Sequence, residues 1–167
     1  AMSQVARVVV FGSGFVGSAI AAKLAERAEV TVLDIPTHPA LARRDDEAAA
    51  LVAAAVEGAA AVVNTSGRLR GTDEEMVDAN VAWPEWLAEQ IESTGVRFVH
   101  LGSAAEYGDP GSADPVAVTA AVDPRGIYGE SKWAGTQAVL EAREAGLDAV
   151  VVRGFNLVGP NLAPVSP

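Results

Sequence analysis

Tyr128 and Lys132 stand four residues apart near the start of a predicted helix. Because positions i and i+4 share one face of a helix, the phenol and the ammonium can reach a common ligand. A neighbouring cation favours the phenolate, so we expect Tyr128 to ionise below its reference pKa of about 10. Such a phenol could exchange a proton with a substrate hydroxyl or carbonyl group. The same spacing is common on solvated helix faces, so the pair needs support from elsewhere in the chain.

A glycine-rich turn follows the first predicted strand, residues 7–11, which is a short apolar and β-branched run. A predicted helix comes directly after the turn. Strand, Gly-x-Gly-x-x-Gly and helix in this order are typical of a dinucleotide site, where the backbone approaches a pyrophosphate at a helix N-terminus. The candidate cofactor-binding residues of this turn are Gly12, Ser13, Gly14, Phe15, Val16 and Gly17.

An acidic residue ends the second predicted strand, residues 30–33. Asp34 follows Gly12 by about 20 residues, where a carboxylate accepts the ribose hydroxyls of the adenosine half and repels a 2′-phosphate. This spacing favours NAD as the cofactor. Arg43 and Arg44 could approach a 2′-phosphate, so NADP stays open, although these arginines also fit a solvated charge cluster.

Composition narrows the class of protein. The 167 residues are 50% apolar, contain no cysteine and carry a net charge of −10. This charge disfavours nucleic acid and anionic membranes as partners. The histidines, His38 and His100, are isolated and give no metal-site spacing. No apolar run approaches the ~20 residues of a spanning helix, and no signal peptide opens the chain, so we expect a cytoplasmic protein.

Strand and helix patterns alternate along the rest of the chain. Further strands are predicted at residues 60–63, 96–101 and 149–153, and further helices at 47–56, 72–93 and 128–145. Thr72 and Glu75 form a capping-box signature, and Pro84 predicts a kink or break near Trp83. The alternation predicts an α/β fold with a doubly wound parallel sheet and helices on both faces.

Ligands bind beyond the carboxyl ends of the strands in such a sheet. Besides the glycine turn and Asp34, three groups of small polar residues fall at predicted strand ends. These are Asn64, Thr65, Ser66 and Gly67, then Ser103, then Asn156. The sequence therefore predicts one active-site edge.

The helix with Pro84 has an apolar face formed by Trp83, Trp86, Leu87 and Ile91. Packing in the core and contact across a dimer are equally good interpretations of this face.

The chain resembles the extended short-chain dehydrogenases/reductases of the NAD-dependent epimerase/dehydratase kind, which have a Rossmann fold. The resemblance rests on 12–17, Leu33-Asp34, Asn80-Val81, 98–108, 128–132 and 153–160. It implies NAD, a homodimer and a small-molecule substrate such as a nucleotide sugar. It also implies that Tyr128 is the general acid/base, that Ser103 hydrogen-bonds the substrate oxygen, and that Lys132 holds the nicotinamide ribose.

The resemblance extends to three further positions. Asn80 matches a structural, water-organising residue, and Asn156 matches a residue that contacts the substrate or its diphosphate. Ala104, beside Ser103, is a candidate substrate contact. Sugar 4,6-dehydratases carry an Asp-Glu pair where Ala104 and Ala105 stand, so dehydration of that type is not expected.

Other features depart from the family pattern. Val10 and Phe11 occupy the usual Thr and first Gly positions. A third strand with an adenine-contacting Asp is hard to find, and Asp45 is a poor candidate for that residue. Relatives continue into a smaller C-terminal substrate-binding domain, which residues 1–167 lack, and a trimmed, a partly described and a naturally short chain all fit this. The alternative function is a non-catalytic dinucleotide-binding or regulatory protein.

Overall fold

The computed structural model describes residues 5–109, 111 and 114–159, and within these residues five strands form one sheet. Their order across the sheet is β2-β1-β3-β4-β5, and all neighbouring strands are parallel. The predicted parallel sheet is thus confirmed. The strands are β1 (Ala6–Phe11), β2 (Ala28–Leu33), β3 (Ala61–Asn64), β4 (Arg97–Ser103) and β5 (Ala149–Gly154).

Helices connect successive strands. They are α1 (Phe15–Leu24), α2 (Ala40–Arg43), α3 (Asp46–Val56), α4 (Asp73–Val77), α5 (Trp83–Ile91) and α6 (Gly126–Ala145). Helix α1 packs on β1 and β2, whereas α5 contacts both α3 and α6, and these three helices form one layer. Because parallel crossovers are right-handed, the β1-to-β2 connection and the later connections, which run the other way across the sheet, lie on opposite faces. Helices therefore cover both faces, as predicted.

The core lies between the sheet and the layer of α3, α5 and α6. The ring of Phe11 on β1 meets the ring of Trp83 on α5 edge to face, with centroids 5.7 Å apart. Trp83, Leu87 and Ile91 are at most 1% exposed within the single chain. The core interpretation of these three residues is confirmed. A dimer contact through Leu87 or Ile91 is wrong because neither side chain is exposed on the surface of the single chain. Trp86 is half-buried.

The helical region around Pro84 is interrupted as predicted. Thr72 caps α4 with a complete capping box that includes Glu75. A π-helical turn, Asp78–Ala82, then joins α4 to α5, and the N–H of Trp83 donates to the carbonyl of Asp78, five residues back. Pro84 has no N–H to donate, and the wider turn carries the chain past it at the start of α5.

The segment between β2 and α3 contains the short helix α2 and no strand. Asp45 is the N-cap of α3, where its carboxylate accepts the N–H of Ala48 over 3.1 Å. Its role is therefore to cap a helix. None of the helices in the described part of the chain has both the length and the apolar composition that crossing a membrane requires. The predicted motif at 153–160 ends at Pro160, which lies outside the described residues.

Candidate active site

The turn after β1 depends on its glycines for three different reasons. Gly12 has a φ of +105°, and a Cβ there would lie 2.7 Å from the hydroxyl oxygen of Thr65. A Cβ at Gly17 would lie 2.0 Å from the carbonyl oxygen of Gly12. A Cβ at Gly14, in contrast, would have no neighbour within 4 Å. Gly12 and Gly17 let the chain turn and pack closely, and Gly14 leaves the approach to the backbone open.

Helix α1 begins at this turn. Its N-cap, Gly14, provides no side-chain hydrogen bond, and its first turn contains no acidic residue. The first N–H groups and the positive end of the helix dipole are therefore available to an anion.

Asp34 lies beside the same turn. Its carboxylate accepts hydrogen bonds from the N–H of Ser13, over 3.1 Å, and from the Ser13 hydroxyl. A cavity of about 330 Å³ opens here, and its lining includes Gly12, Ser13, Gly14 and Asp34. The structure thus brings the glycine turn and the predicted ribose-binding carboxylate together.

Arg43 and Arg44 do not line that cavity. The guanidinium of Arg43 pairs with Asp45 over 2.7 Å and with Glu47 over 2.5 Å, and that of Arg44 pairs with Asp78. Both arginines are therefore engaged away from Asp34.

A second cavity, of about 470 Å³, lies at the carboxyl ends of β4 and β5. Thr65, Ser66, Gly67 and Arg68 line both cavities, so the two form one continuous cleft. The other predicted site residues that line the second cavity are Val16, Asn80, Ser103, Tyr128, Lys132 and Asn156. The proposed catalytic set is thus gathered next to the predicted dinucleotide turn.

Lys132 is almost fully buried in the wall of the second cavity. Its ammonium donates a hydrogen bond to the backbone carbonyl of Leu101 over 2.7 Å. Burial lowers the pKa of Lys132 to about 8, and the nearby carboxylate of Glu106 opposes that shift. The charged ammonium form still predominates at neutral pH, but it loses its proton at a lower pH than an ammonium in water does.

Ser103 is fixed by a buried carboxylate that sequence reasoning missed. Glu106 is fully buried, and it accepts the N–H of Ser103 over 2.8 Å and the hydroxyl of Thr136 over 2.9 Å. Its other oxygen pairs with the guanidinium of Arg153 at 2.6 Å. Glu106 therefore ties the end of β4 to α6 and β5. The signal in the sequence was its capping-box spacing from Ser103.

Asn80 supports the loop that joins the two cavities. Its side-chain oxygen accepts the N–H of Arg68 over 2.8 Å, and its amide donates to the Arg68 carbonyl over 2.9 Å and to the Ser131 hydroxyl over 3.0 Å. Ser131 in turn donates to the carbonyl of Tyr128 over 3.2 Å. This chain of hydrogen bonds connects the loop to the first turns of α6.

Tyr128 is half-buried in the wall of the second cavity. Asn156 is exposed and has a φ of 39°, in the left-handed region that asparagine tolerates better than most residues. Both side chains are therefore accessible from the cleft.

Asn64 does not reach the cleft. It is fully buried, accepts the indole N–H of Trp83 over 3.1 Å, and donates to Nδ1 of His100 over 3.1 Å. Burial lowers the pKa of His100 to about 3, so that ring stays neutral. Asn64 supports the loop from beneath, since its side-chain oxygen also accepts the N–H of Ser66.

Three other predicted site residues lie outside the lining of both cavities. Phe15 and Gly17 belong to the first turn of α1, and Ala104 belongs to the short 3₁₀ turn after Ser103. Arg68, which sequence reasoning missed, lines both cavities.

Comparison with known proteins identifies the family to which the chain is similar. The family profile described as "NAD dependent epimerase/dehydratase family" matches residues 8–166. A dTDP-6-deoxy-L-talose 4-dehydrogenase (NAD(P)(+)) of Kitasatospora kifunensis is 37% identical over an alignment of 175 positions, gaps included, which covers 92% of this chain and 53% of that enzyme. The chain thus spans about half the length of this relative.

Two solved structures show the same fold. A short-chain dehydrogenase/reductase superfamily protein from Agrobacterium tumefaciens, with bound NAD, is 26% identical with a TM-score of 0.74, covering 88% of this chain and 48% of that one. A dTDP-4-dehydrorhamnose reductase from Clostridium acetobutylicum has a TM-score of 0.78 at 19% identity, covering 93% of this chain and 55% of that one. The five parallel strands and their helices form a Rossmann-like fold.

Proposed function

The chain belongs to the NAD dependent epimerase/dehydratase family, and from this premise we propose that it binds NAD and moves a hydride between the nicotinamide and a carbinol or carbonyl carbon. In this proposal the protein is an epimerase or a reductase. One observation supports it above all others: Ser103, Tyr128 and Lys132 line one cavity, and that cavity is continuous with the one containing the glycine turn and Asp34.

The residues of the cleft suit NAD. The open face of Gly14 and the uncapped start of α1 would hold the diphosphate, and the carboxylate of Asp34 would accept the hydroxyls of the adenosine ribose. Ser13 now donates to that carboxylate and would share it with the ribose. Lys132 would hold the nicotinamide ribose. NAD, when bound, supplies or accepts the hydride.

The chain's own residues would handle the proton. As a hydride leaves a carbinol carbon, the hydroxyl on that carbon must lose its proton, and Tyr128 would accept it. In the reverse direction the phenol would donate a proton to the carbonyl oxygen. Ser103 would hydrogen-bond the same oxygen and hold it near the phenol.

We propose a nucleotide sugar as the substrate. The relative from Kitasatospora kifunensis is named for a dTDP-6-deoxy sugar. Asn156 and Ser103 would contact the substrate, since both line the second cavity. Ala104 and Ala105 have no group that exchanges a proton, so dehydration by an Asp-Glu pair is not part of the proposal.

The relative from Kitasatospora kifunensis is about twice as long as this chain. We propose that in the whole protein a smaller C-terminal domain encloses the substrate over this cleft.

We also propose a homodimer with Trp86 in the contact, because Trp86 keeps exposed surface on α5. Light scattering at micromolar concentration should give twice the monomer mass, and a monomer would exclude this assembly.

Stereospecifically deuterated NADH tests the proposed function. The longest form of the protein that its gene encodes is incubated with this NADH and a panel of dTDP- and UDP-linked sugars and keto-sugars. Transfer of deuterium to a sugar carbon is the expected result. Tight NADH binding without transfer to any sugar would favour the non-catalytic dinucleotide-binding alternative.

A further inference from the structure

Arg68 lies where the two cavities of the cleft meet. It follows β3 by a few residues and lines both cavities. Among the described residues that line them, Arg68 and Lys132 are the only cations. Lys132 is almost fully buried and already donates to the Leu101 carbonyl. Arg68 is therefore the accessible positive charge of the cleft, with a side chain that is 51% exposed.

The backbone of Arg68 is held firmly. The buried Asn80 side chain bonds both the N–H and the carbonyl of Arg68, over 2.8 and 2.9 Å. A Cβ at Gly67, the preceding residue, would lie 2.9 Å from the same Asn80 oxygen. The loop thus packs closely against Asn80, and the guanidinium extends from a fixed point.

The guanidinium itself is only lightly engaged. One nitrogen of Arg68 pairs with a carboxylate oxygen of Glu75 over 3.0 Å. The other Glu75 oxygen accepts the N–H of Thr72 in the capping box of α4. Arginine has five N–H donors, and an exposed ion pair of this kind contributes little stability. A phosphate that enters the cleft can therefore bind the remaining N–H groups of Arg68 without a large loss of folding stability.

We propose that Arg68 binds a phosphate group of the ligand that occupies both cavities. The inference rests on the proposed function, in which that ligand is a dinucleotide with a nucleotide sugar beside it. Both ligands carry a diphosphate, and a guanidinium binds phosphate oxygens through two parallel hydrogen bonds. The need for such a cation is strong, because the chain carries a net charge of −10 and would otherwise repel an anionic ligand.

Arg70 provides a matched control. It carries the same charge two residues further along the loop, is exposed, and lines neither cavity. Arg68→Gln and Arg70→Gln therefore change the net charge equally, and any difference between them reports local contact with the ligand. Thermal unfolding of both variants checks that the fold is retained.

The experiment measures two affinities in each variant. NADH is titrated by fluorescence, and dTDP is titrated by calorimetry in the presence of saturating NAD⁺. Arg68→Gln should weaken one of them about tenfold or more, while Arg70→Gln stays within about twofold. A loss for NADH assigns the phosphate to the cofactor, and a loss for dTDP alone assigns it to the substrate. Arg68→Lys should restore part of the lost affinity.

Two negative results have different meanings. If the wild type binds both probes and Arg68→Gln matches Arg70→Gln for each, the role of Arg68 is wrong and the proposed function stands. If the wild type binds neither NADH nor dTDP, both proposals fail together.

Discussion

The ammonium of Lys132 on α6 donates a 2.7 Å hydrogen bond to the carbonyl of Leu101 on β4. Leu101 precedes Ser103 by two residues on the same strand. The lysine is therefore fixed relative to the serine through one strand, although the two residues lie far apart in the sequence. The sheet edge, more than the helix face alone, sets the geometry of the proposed catalytic set.

NADH binding should weaken as the pH rises through about 8. Burial lowers the pKa of Lys132 to about 8 from 10.5, so its charge is lost in the folded protein above that pH. The affinity is measured by NADH fluorescence between pH 6.5 and 9.5. Lys132→Met should bind more weakly at pH 7 and lose this pH dependence, whereas Lys23→Met, which removes an exposed charge, should behave as the wild type.

Loss of folding stability should not explain the weaker NADH binding above pH 8. Between the folded pKa of about 8 and the unfolded value of 10.5, the unfolded state binds more protons at Lys132 than the folded state. The contribution of this group to the free energy of unfolding therefore rises with pH in that window. Urea unfolding at pH 7 and 9 provides the control. An NADH affinity that is equal at both pH values would show that the charge of Lys132 is not used.

NADH should bind more tightly than NADPH. The carboxylate of Asp34 would accept the ribose hydroxyls and repel a 2′-phosphate. Arg43 and Arg44 are paired with acidic residues away from the cavity. Replacing Asp34 by Ser should reduce the preference about tenfold or more, as measured by titration with both reduced cofactors. Tighter NADPH binding by the wild type would overturn this assignment.

Gly14 and Gly17 should respond differently to alanine. A Cβ at Gly17 would overlap the carbonyl oxygen of Gly12, so Gly17→Ala should lower the free energy of unfolding by about 1–3 kcal/mol or more. Gly14→Ala has open space and should fold normally, but its methyl group would obstruct the diphosphate and weaken NADH binding. Thermal unfolding and NADH titration separate the two effects. Equal stability of the two variants would contradict the packing role of Gly17.

Glu106→Gln should be strongly destabilising. The substitution leaves the guanidinium of Arg153, whose side chain is only 16% exposed, without its counter-ion. Loss of one partner of a buried pair costs about 3–5 kcal/mol, and removal of both costs less. In urea unfolding the double variant Glu106→Gln/Arg153→Met should therefore be more stable than Glu106→Gln. If the free energy of unfolding of Glu106→Gln lay within about 1 kcal/mol of the wild-type value, the pair would contribute little to stability.

Local patterns in the sequence predicted much of this fold. The apolar runs located the strands to within a few residues, and the glycines at 12, 14 and 17 located the turn. Pro84 predicted the interruption near Trp83 because the effect of proline on a helix is local. These features depend on neighbours in the chain, which a sequence displays directly.

The remaining features depend on distant contacts. Asn64 stands at a strand end as predicted, but Trp83 and His100 engage its side chain from other elements and hold it beneath the cleft. The burial of Glu106 with Arg153 and the position of Arg68 against Asn80 likewise depend on contacts between different elements of the fold. No local spacing reveals such pairs.

One substitution tests whether Tyr128 transfers the proton. Tyr128→Phe removes the phenol oxygen and keeps the ring, so folding and NADH binding should persist. The measurement is the single-turnover rate of hydride transfer, followed by NADH absorbance. It uses the longest form of the protein that its gene encodes and the sugar identified by deuterium transfer. The expected rate is about 10²–10⁴-fold below wild type at unchanged NADH affinity. A Tyr128→Phe enzyme that transfers hydride at the wild-type rate would contradict the proton-transfer role of Tyr128.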